Sequence, residues 1–189
     1  ITRPGAYRLF IQYNRALAAL VRREHLDVIY AHEVWPAGAS AVLQSRISGV
    51  KSVVVAYGET YGTTSQHARW IRTGKYVCRA ADAVVSTSEH CLRGAMNLGA
   101  ASERSSVIYA GVNFNEFKPG LDGSRWRERH GISVESVVIS VLGIVLRRKL
   151  DDFLEAVSLI DSSKEIVCVI GGRGPDEDYV RTRLSEMNG

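Results

Sequence analysis

The chain alternates between two hydrophobic patterns. In the first, short runs of apolar and mostly β-branched residues end in polar ones, which is typical of strands buried on both faces of a parallel sheet. In the second, apolar residues recur at three- and four-residue spacing between charged residues, which is typical of amphipathic helices. The N-terminal segment shows the second pattern, with its apolar positions at Leu9, Phe10, Tyr13, Leu17, Leu20 and Val21.

These patterns predict six strands and seven helices. The strands are expected at 27–32, 52–56, 83–87, 106–110, 136–142 and 166–170. The helices are expected at about 3–24, 38–48, 64–81, 89–98, 125–130, 151–160 and 176–187. Short buried strands that alternate with helices form parallel sheets with right-handed crossovers. The predicted fold class is therefore α/β, with Rossmann-like parallel sheets.

The segment 113–124, NFNEFKPGLDGS, has no hydrophobic period and contains one proline and two glycines. It predicts a domain boundary, with one domain at 1–118 and a second at 119–189. The second domain has only two predicted strands, which are too few to close a sheet core. The chain also begins with Ile1 instead of Met. We therefore expect both domains to be incomplete and the chain to be a fragment of a longer protein.

Composition narrows the functional classes. The chain has 24 Lys and Arg against 20 Asp and Glu, and this mild net charge of +4 is spread along the sequence, which argues against a nucleic-acid partner. No apolar run approaches the ~20 residues that cross a bilayer. We expect a cytoplasmic protein, with peripheral contact at the inner face of the membrane as its closest association. The three cysteines are widely spaced and have no metal-ligand pattern, so they are predicted to be reduced core residues.

Candidate functional residues follow the predicted strands, because ligands of open parallel sheets bind at the carboxyl ends of the strands. His32 can hold a proton there or be a hydrogen-bonded core histidine, and Glu59 is a cleft carboxylate or an exposed loop acid. The basic run 147–149 suits a diphosphate at the start of a helix, or is a solvated loop. The glycine turn 171–174 is either structural or close to a ligand. No Ser-His-Asp order, HExxH, Walker loop or zinc spacing supports a hydrolase or a nucleoside triphosphatase.

Taken together, the motifs are more specific. The succession DVIYAH, PAG, GVKSVVVAYGE, ADAVVSTSE, LG, SSVIYAGVNFNEFKP, VLG with RRK-LDDFLEA, and VIGGRGP resembles the retaining, nucleotide-sugar-dependent glycosyltransferases of family 4, which have the GT-B fold. The resemblance extends from about Asp27 to Gly189. It implies two Rossmann-like domains, an acceptor-side domain at 1–118 and the beginning of a donor-side domain at 119–189.

The resemblance assigns roles to individual residues. Gly58 and Glu59 match the HG-x-D/E segment near the reacting sugar, and Gly143 with Lys149 matches the G-R-x5-K segment that holds the donor diphosphate. The G-x-G-P loop that lines the nucleotide site corresponds to Gly172, Gly174 and Pro175. Together with His32, these are the predicted site residues.

The sequence departs from the family pattern at three points. Tyr57 replaces the histidine before Gly58, Ile144 replaces the arginine after Gly143, and Lys149 falls one residue early. Arg148 is expected to replace the lost cation, because a guanidinium is a good diphosphate partner.

The implied reaction is transfer of a sugar from a nucleotide-diphosphate sugar to a carbohydrate or lipid-linked acceptor, with retention of the anomeric configuration and with no metal or other cofactor. The family's glycine-rich first strand and its E-x7-E segment are absent from the sequence, so the fragment alone is expected to be inactive. Two alternatives stay open. One is a non-catalytic GT-B-like binding module, in which Tyr57 and Ile144 mark lost chemistry, and the other is a GT-B sugar-nucleotide epimerase.

Overall fold

A computed structural model describes residues 5–60, 68–143, 147–160, 163, 165–174 and 176–187, with the backbone alone at 5, 6, 59, 147–149 and 187. The chain divides into two compact units, Ile1–Val112 and Asn113–Gly189. The division falls at the start of the segment 113–124, in which the sequence analysis places the boundary. The assignment of 1–118 and 119–189 to an acceptor-side and a donor-side domain stays a prediction.

The first unit is built on a four-stranded parallel sheet in the order β1-β2-β3-β4. Its strands are β1 Val28–His32, β2 Lys51–Ala56, β3 Ala83–Ser86 and β4 Ser105–Val107. Its helices are α1 Gly5–Arg23, α2 Ala39–Ser48, α3 Ala68–Ala80 and α4 Glu89–Asn97. The structure thus confirms the predicted parallel α/β class and the alternation of strand and helix. The predicted helical residues 64–67 lie outside the described residues.

The core of this unit lies on one face of the sheet. The sequence pattern predicts that β1 is buried on both faces, and this is wrong, because Ile29 and Ala31 are buried whereas Tyr30 is 57% exposed, so only one face of the strand is covered. Val54 of β2 and Val77 of α3 belong to the largest buried cluster, which also contains residues of α2, β3 and α4. The β-branched side chains of strand residues such as Val54 pack well on a pleated sheet, which explains why their segments form strands.

A wide turn, Val34–Gly38, joins β1 to α2 and was not predicted as a separate element. It begins after Glu33, whose φ of 72° is unusual for a non-glycine residue, and it contains a cis Trp35-Pro36 peptide. The Gly38 backbone N–H donates to the Glu33 carbonyl at 2.9 Å. A Cβ on Gly38 would lie 2.7 Å from that carbonyl and 3.0 Å from a Val54 methyl group. The turn therefore packs directly on β2, and only glycine fits there.

Asp82 organises the opposite edge of the sheet, at the amino ends of the strands. Its carboxylate accepts from the Ser52 backbone N–H at 2.9 Å, from the Ser52 and Ser45 hydroxyls at 3.0 and 3.1 Å, and from Lys51 Nζ at 2.9 Å. These bonds, with Lys51 first, hold the pKa of Asp82 well below its usual range. The carboxylate thereby ties α2 and β2 to the turn before β3.

The second unit pairs β5, Val137–Leu142, with β6, Ile166–Gly171, in parallel. Its helices are α5 Ser124–Arg129, α6 Arg147–Ser158 and α7 Glu177–Met187. Leu150 of α6 and Val180 of α7 are buried together, against the partly buried Val141 and Ile170 of the two strands. The predicted start of the sixth helix, near residue 151, was wrong, because α6 already begins at Arg147.

The wide turn makes a stability prediction. Gly38→Ala should lower the free energy of unfolding by about 1–3 kcal/mol, because the added methyl group must displace backbone or a packed valine. Gly111→Ala is the control, since a Cβ there meets no heavy atom of the described residues within 4 Å. Urea denaturation of both variants measures the difference. Equal stability of the two would mean that Gly38 is not tightly packed.

The Asp82 cluster predicts a dependence on pH. Because folding lowers the pKa of Asp82, its stabilisation is complete above the pKa of an unfolded aspartate, about 3.9, and is lost as the pH falls below that value. Asp82→Asn should therefore be less stable than the unaltered protein at neutral pH. The difference should shrink between about pH 5 and pH 2, as measured by denaturation across that range.

Lys51→Met serves as the partial variant for this experiment, since it removes the leading cause of the pKa shift and leaves the serine contacts in place. It should reduce the acid sensitivity less than Asp82→Asn does. A stability difference between Asp82→Asn and the unaltered protein that does not change with pH would contradict the assignment.

Candidate functional site

Strand register brings His32 and Tyr57 together at the carboxyl edge of the first sheet. His32 is paired with Val55, and Tyr57 lies two residues beyond Val55, so both side chains are on the same face. His32 Nδ1 and Tyr57 Oη are 2.6 Å apart, and the two rings are nearly parallel at 13°, with centroids 6.0 Å apart. Tyr30 contacts the His32 ring edge-on at 5.0 Å. The predicted proton-carrying residue is thus an exposed, hydrogen-bonded histidine in a row of aromatic rings.

The loop after β2 is tied to helix α4. A short turn, Gly58–Thr60, follows Tyr57, and the buried Thr60 hydroxyl donates to the Tyr57 carbonyl at 2.9 Å and to the Cys91 carbonyl at 3.2 Å. Ser88 caps α4 by accepting from the Cys91 backbone N–H at 3.2 Å. These contacts fix the backbone of the predicted Gly58–Glu59 segment next to the His32–Tyr57 pair.

Gly58 itself faces open space, since a Cβ there would meet no heavy atom within 4 Å. Among the described residues, no packing contact requires glycine at this position, and the space beside its backbone is open. The Glu59 side chain lies outside the described part of the structure, so its predicted role stays a prediction.

The contact between His32 and Tyr57 was missed by sequence reasoning, which treated Tyr57 only as a departure from the family histidine. The signal was available in part, because residues that end neighbouring parallel strands lie side by side. The register, however, decides which residue of the second strand lies beside His32. Register depends on how both strands pack in the folded sheet, so the spacing of the two residues along the chain does not reveal it.

The carboxyl edge of the second sheet is built on glycines. The Gly143 backbone N–H donates to the Gly171 carbonyl at 2.7 Å, which continues the β5–β6 ladder past Leu142. Gly143 has a φ of 91° and Gly172 a φ of 130°, both in the region that favours glycine. The predicted residues Gly143, Gly172 and Gly174 thus lie in two adjacent turns. Ile144 and Pro175 lie outside the described residues.

Each glycine turn leads into a helix. Helix α6 begins at Arg147 and α7 at Glu177, and the Glu177 backbone N–H donates to the Gly174 carbonyl at 3.2 Å. The first N–H groups of a helix have no partner within it and attract anions. The first turn of α7 contains the acidic residues Glu177 and Asp178, whereas that of α6 contains none and includes Arg148 and Lys149. Of the two, α6 is electrostatically better suited to a phosphate group.

The described residues were also compared with the requirements of a metal site, a disulfide and a membrane-spanning helix. None of the His, Cys, Asp and Glu side chains in the described part of the chain form a group of three that could hold a metal ion. The three cysteines, all of which are described, form no disulfide, and burial raises the pKa of the Cys168 thiol in β6. No described helix has the length and apolar character needed to span a bilayer.

Two α/β units, each built on parallel strands with glycine or polar residues in the turns at the carboxyl ends, place the chain among the Rossmann-like proteins to which the GT-B fold belongs. Its sequence matches the profile described as Glycosyltransferase Family 4 over residues 1–116. The chain therefore belongs to this family, which confirms the resemblance seen in the motifs. No curated protein sequence matches the chain.

Solved structures show the same fold. Sucrose-phosphate synthase from Thermosynechococcus elongatus superposes with a TM-score of 0.72 at 17% identity, covering 100% of this chain and 48% of that one. HepE from Anabaena, in complex with UDP-glucose, gives 0.67 at 16% identity, covering 95% and 48%. UDP-N-acetylglucosamine 2-epimerase from Rickettsia bellii gives 0.52 at 14% identity, covering 95% and 47%. The chain spans about half the length of these proteins.

The positive φ of Gly172 at the carboxyl edge of the second sheet leads to a further prediction about stability. Gly172→Ala should lower the free energy of unfolding of the second unit by roughly 1–3 kcal/mol, because an alanine is strained at a φ of 130°. Gly58→Ala is the control, since it adds a methyl group into open space. Thermal unfolding followed by circular dichroism compares the two. A Gly172→Ala variant as stable as the control would show that the turn relaxes without cost.

Proposed function

We propose that this chain forms part of a glycosyltransferase that moves a sugar from a nucleoside-diphosphate sugar to an acceptor hydroxyl with retention of the anomeric configuration. The observation that carries the proposal is the start of α6. It follows the Gly143 turn at the carboxyl edge of β5, contains two cations of the predicted diphosphate site, and has no acidic residue in its first turn. Membership of Glycosyltransferase Family 4 supports the same reaction class.

The second unit would hold the donor. Backbone N–H groups at the start of α6 would face the diphosphate, and Arg148 and Lys149 would supply positive charge. The glycine turn at Gly172 and Gly174 would let the nucleotide approach the backbone closely, with Pro175 opening the next helix. The proposal includes no metal, since the resemblance to the family implies none.

In the reaction, the bond between the anomeric carbon and the diphosphate oxygen breaks, and a bond to the acceptor oxygen forms on the same face of the sugar. The proton of the acceptor hydroxyl passes to the departing diphosphate. Negative charge develops on the departing diphosphate. A preorganised donor at such a site is typically worth about 3–4 kcal/mol of transition-state stabilisation. We therefore assign to Arg148 and Lys149 the stabilisation of the leaving group.

The first unit would hold the acceptor near His32, Gly58 and Glu59. Since His32 Nδ1 is engaged by Tyr57, exchange of a proton or a hydrogen bond with an acceptor hydroxyl would use Nε2. Glu59 would add a carboxylate beside the reacting sugar. The acceptor would be a carbohydrate or a lipid-linked sugar, and lipid linkage would bring the protein to the membrane surface.

The proposal predicts a loss of donor binding on removal of one cation. In the full-length transferase, Lys149→Ala should weaken binding of a nucleoside diphosphate by roughly ten- to over a hundredfold, because a charged hydrogen bond is worth about 1.5–3 kcal/mol. Arg148→Ala should do the same if this residue replaces the arginine lost at Ile144. Isothermal titration with UDP, GDP and ADP, and with the matching monophosphates, measures the effect.

Arg147→Ala is the matched control for this experiment, since Arg147 lies in the same helical turn and has no counterpart in the family motif. It should bind nucleotides nearly as tightly as the unaltered protein. If Lys149→Ala binds both diphosphates and monophosphates with unchanged affinity, the diphosphate role is wrong and the non-catalytic alternative is favoured.

The similarity to an epimerase keeps one further enzyme class as a second candidate. The two reactions differ in their products. A transferase releases free nucleoside diphosphate in step with glycosylated acceptor, whereas an epimerase inverts a centre of the bound sugar. A GT-B-like binding module would bind the nucleotide sugar and convert it to neither product. Chromatography of the nucleotide products made by the full-length protein therefore separates the three.

A further inference from the structure

We infer that the outer side of helices α1 and α3 is a docking surface for an anionic lipid bilayer. This surface, which we call the basic face, has six exposed cations: Arg8, Arg15 and Arg22 of α1 and Arg69, Arg72 and Lys75 of α3. None of them belongs to the predicted donor or catalytic set. Bilayer binding therefore goes beyond the proposed transferase function and is tested apart from it.

Positive charge is concentrated in the helices of the first unit. Helices α1, α2 and α3 contain nine Lys and Arg residues and no Asp or Glu. The whole chain has 24 Lys and Arg against 20 Asp and Glu, so the rest of it has 15 cations and 20 carboxylates. The mild net charge thus combines three strongly basic helices with an acidic remainder. Solubility alone does not require such a separation, since it is served by interspersed charges of both signs.

Helix α1 presents its cations in one row on the exposed side. Leu17 and Val21 pack against the cluster that contains the buried residues of β1. Arg8, Arg15 and Arg22 follow one another at intervals of seven residues, or about two helical turns, and all three are exposed. The helix therefore buries one side against the sheet and leaves a line of guanidinium groups in solvent.

Helix α3 is divided in the same way. Trp70 and Val77 are buried on one side, whereas Arg72 and Lys75 are exposed on the opposite side. None of the six cations of the basic face forms an ion pair with a described residue. Their positive charge is therefore available to an external anion.

The two helices form one surface and not two separate patches. Tyr7 of α1 and Arg69 of α3 line the same small cavity, which places the two helices side by side. Arg46 of α2 lies over the Tyr76 ring of α3, 5.8 Å from its centroid, and adds a further exposed cation. A partner with many negative charges can therefore contact both helices at once.

Apolar side chains are exposed among these cations. Ile11 of α1 is 56% exposed and lies between Arg8 and Arg15 on the same side of the helix, at spacings of three and four residues. Tyr7 and Tyr76 are also exposed. Tyrosine rings suit the headgroup level of a bilayer, and aliphatic side chains on a basic helix enter the boundary with the acyl chains.

This combination favours a bilayer over other polyanions. The phosphate groups of anionic lipids attract unpaired cations, and each Lys or Arg near such a surface is worth about fivefold in affinity. A nucleic acid would match the charge, but its phosphate backbone has no apolar region to accept Ile11. A bilayer accepts both the cations and the exposed apolar side chains.

Flotation with lipid vesicles measures the binding. The unaltered chain should float with vesicles of phosphatidylcholine and phosphatidylglycerol at physiological ionic strength, and not with vesicles of phosphatidylcholine alone. The α3 variant combines Arg69→Gln, Arg72→Gln and Lys75→Gln. It should bind the anionic vesicles roughly a hundredfold more weakly, because three contributions of about fivefold are lost.

The matched control combines Lys118→Gln, Arg125→Gln and Arg129→Gln. These three cations are exposed in the second unit, so the control has the same net charge as the α3 variant. It should bind anionic vesicles nearly as tightly as the unaltered chain. Far-UV circular dichroism of both variants shows whether each has kept its fold.

Ile11→Ser distinguishes a bilayer from a nucleic acid. It should weaken vesicle binding by about threefold or more, because the strength of interfacial binding rises with the apolar area inserted. It should leave any binding to a DNA duplex unchanged, because that binding depends on phosphate contacts.

Four results would overturn the inference. They are the absence of flotation with anionic vesicles, an equal loss of binding in the control and a folded α3 variant, unchanged flotation of Ile11→Ser, and release from vesicles by duplex DNA at equal phosphate concentration. The donor proposal is judged separately, by UDP titration of the full-length transferase. Vesicle binding without UDP binding would support the basic face and contradict the transferase, and UDP binding without vesicle binding would do the reverse.

Discussion

The parallel register of β1 and β2 is the constraint on which the first unit depends. It pairs His32 with Val55, and the ladder extends by one bond, from the Glu33 N–H to the Val55 carbonyl at 3.0 Å. Tyr57 therefore comes within hydrogen-bond distance of His32, and the wide turn begins at a fixed point above the sheet. A slip of one residue would move His32 to the opposite face and separate it from Tyr57, because side chains alternate along a strand.

The second unit also depends on the register of its two parallel strands. Its β5–β6 register continues to Gly143 and Gly171, so that two turns with positive φ lie side by side and each leads into a helix. Parallel pairing thus places side chains at the carboxyl edge of the first sheet and backbone N–H groups at the carboxyl edge of the second sheet. This division is chemically sensible, because a histidine can exchange protons whereas helix N-termini hold anions without exchanging them.

The sequence predicted the elements that have a clear pattern of apolar residues. The prediction failed where a segment has no apolar residue. All six strands were predicted from short runs of apolar residues, of which Val53, Val54 and Val55 of β2 are the clearest, although β4 ends at Val107 and the predicted strand residues 108–110 lie outside it. The start of α6 was missed because its first turn, Arg147 to Lys149, has no apolar residue, and the periodic signal begins only at the buried Leu150. In the site, His32 was found from its place at a strand end. Its partner Tyr57 was not, because their contact joins residues 25 apart and depends on register.

The replacement of a histidine by Tyr57 alters what the first edge can do with protons. A tyrosine offers one phenolic O–H donor and one oxygen acceptor where a histidine would offer two ring nitrogens, so the only ring nitrogens of this pair are those of His32. When Tyr57 donates to Nδ1, the neutral His32 ring carries its proton on Nε2 and acts as a hydrogen-bond donor. When Nδ1 carries the proton and Tyr57 accepts it, Nε2 becomes a base. The direction of the 2.6 Å hydrogen bond therefore decides whether Nε2 of His32 is a donor or an acceptor.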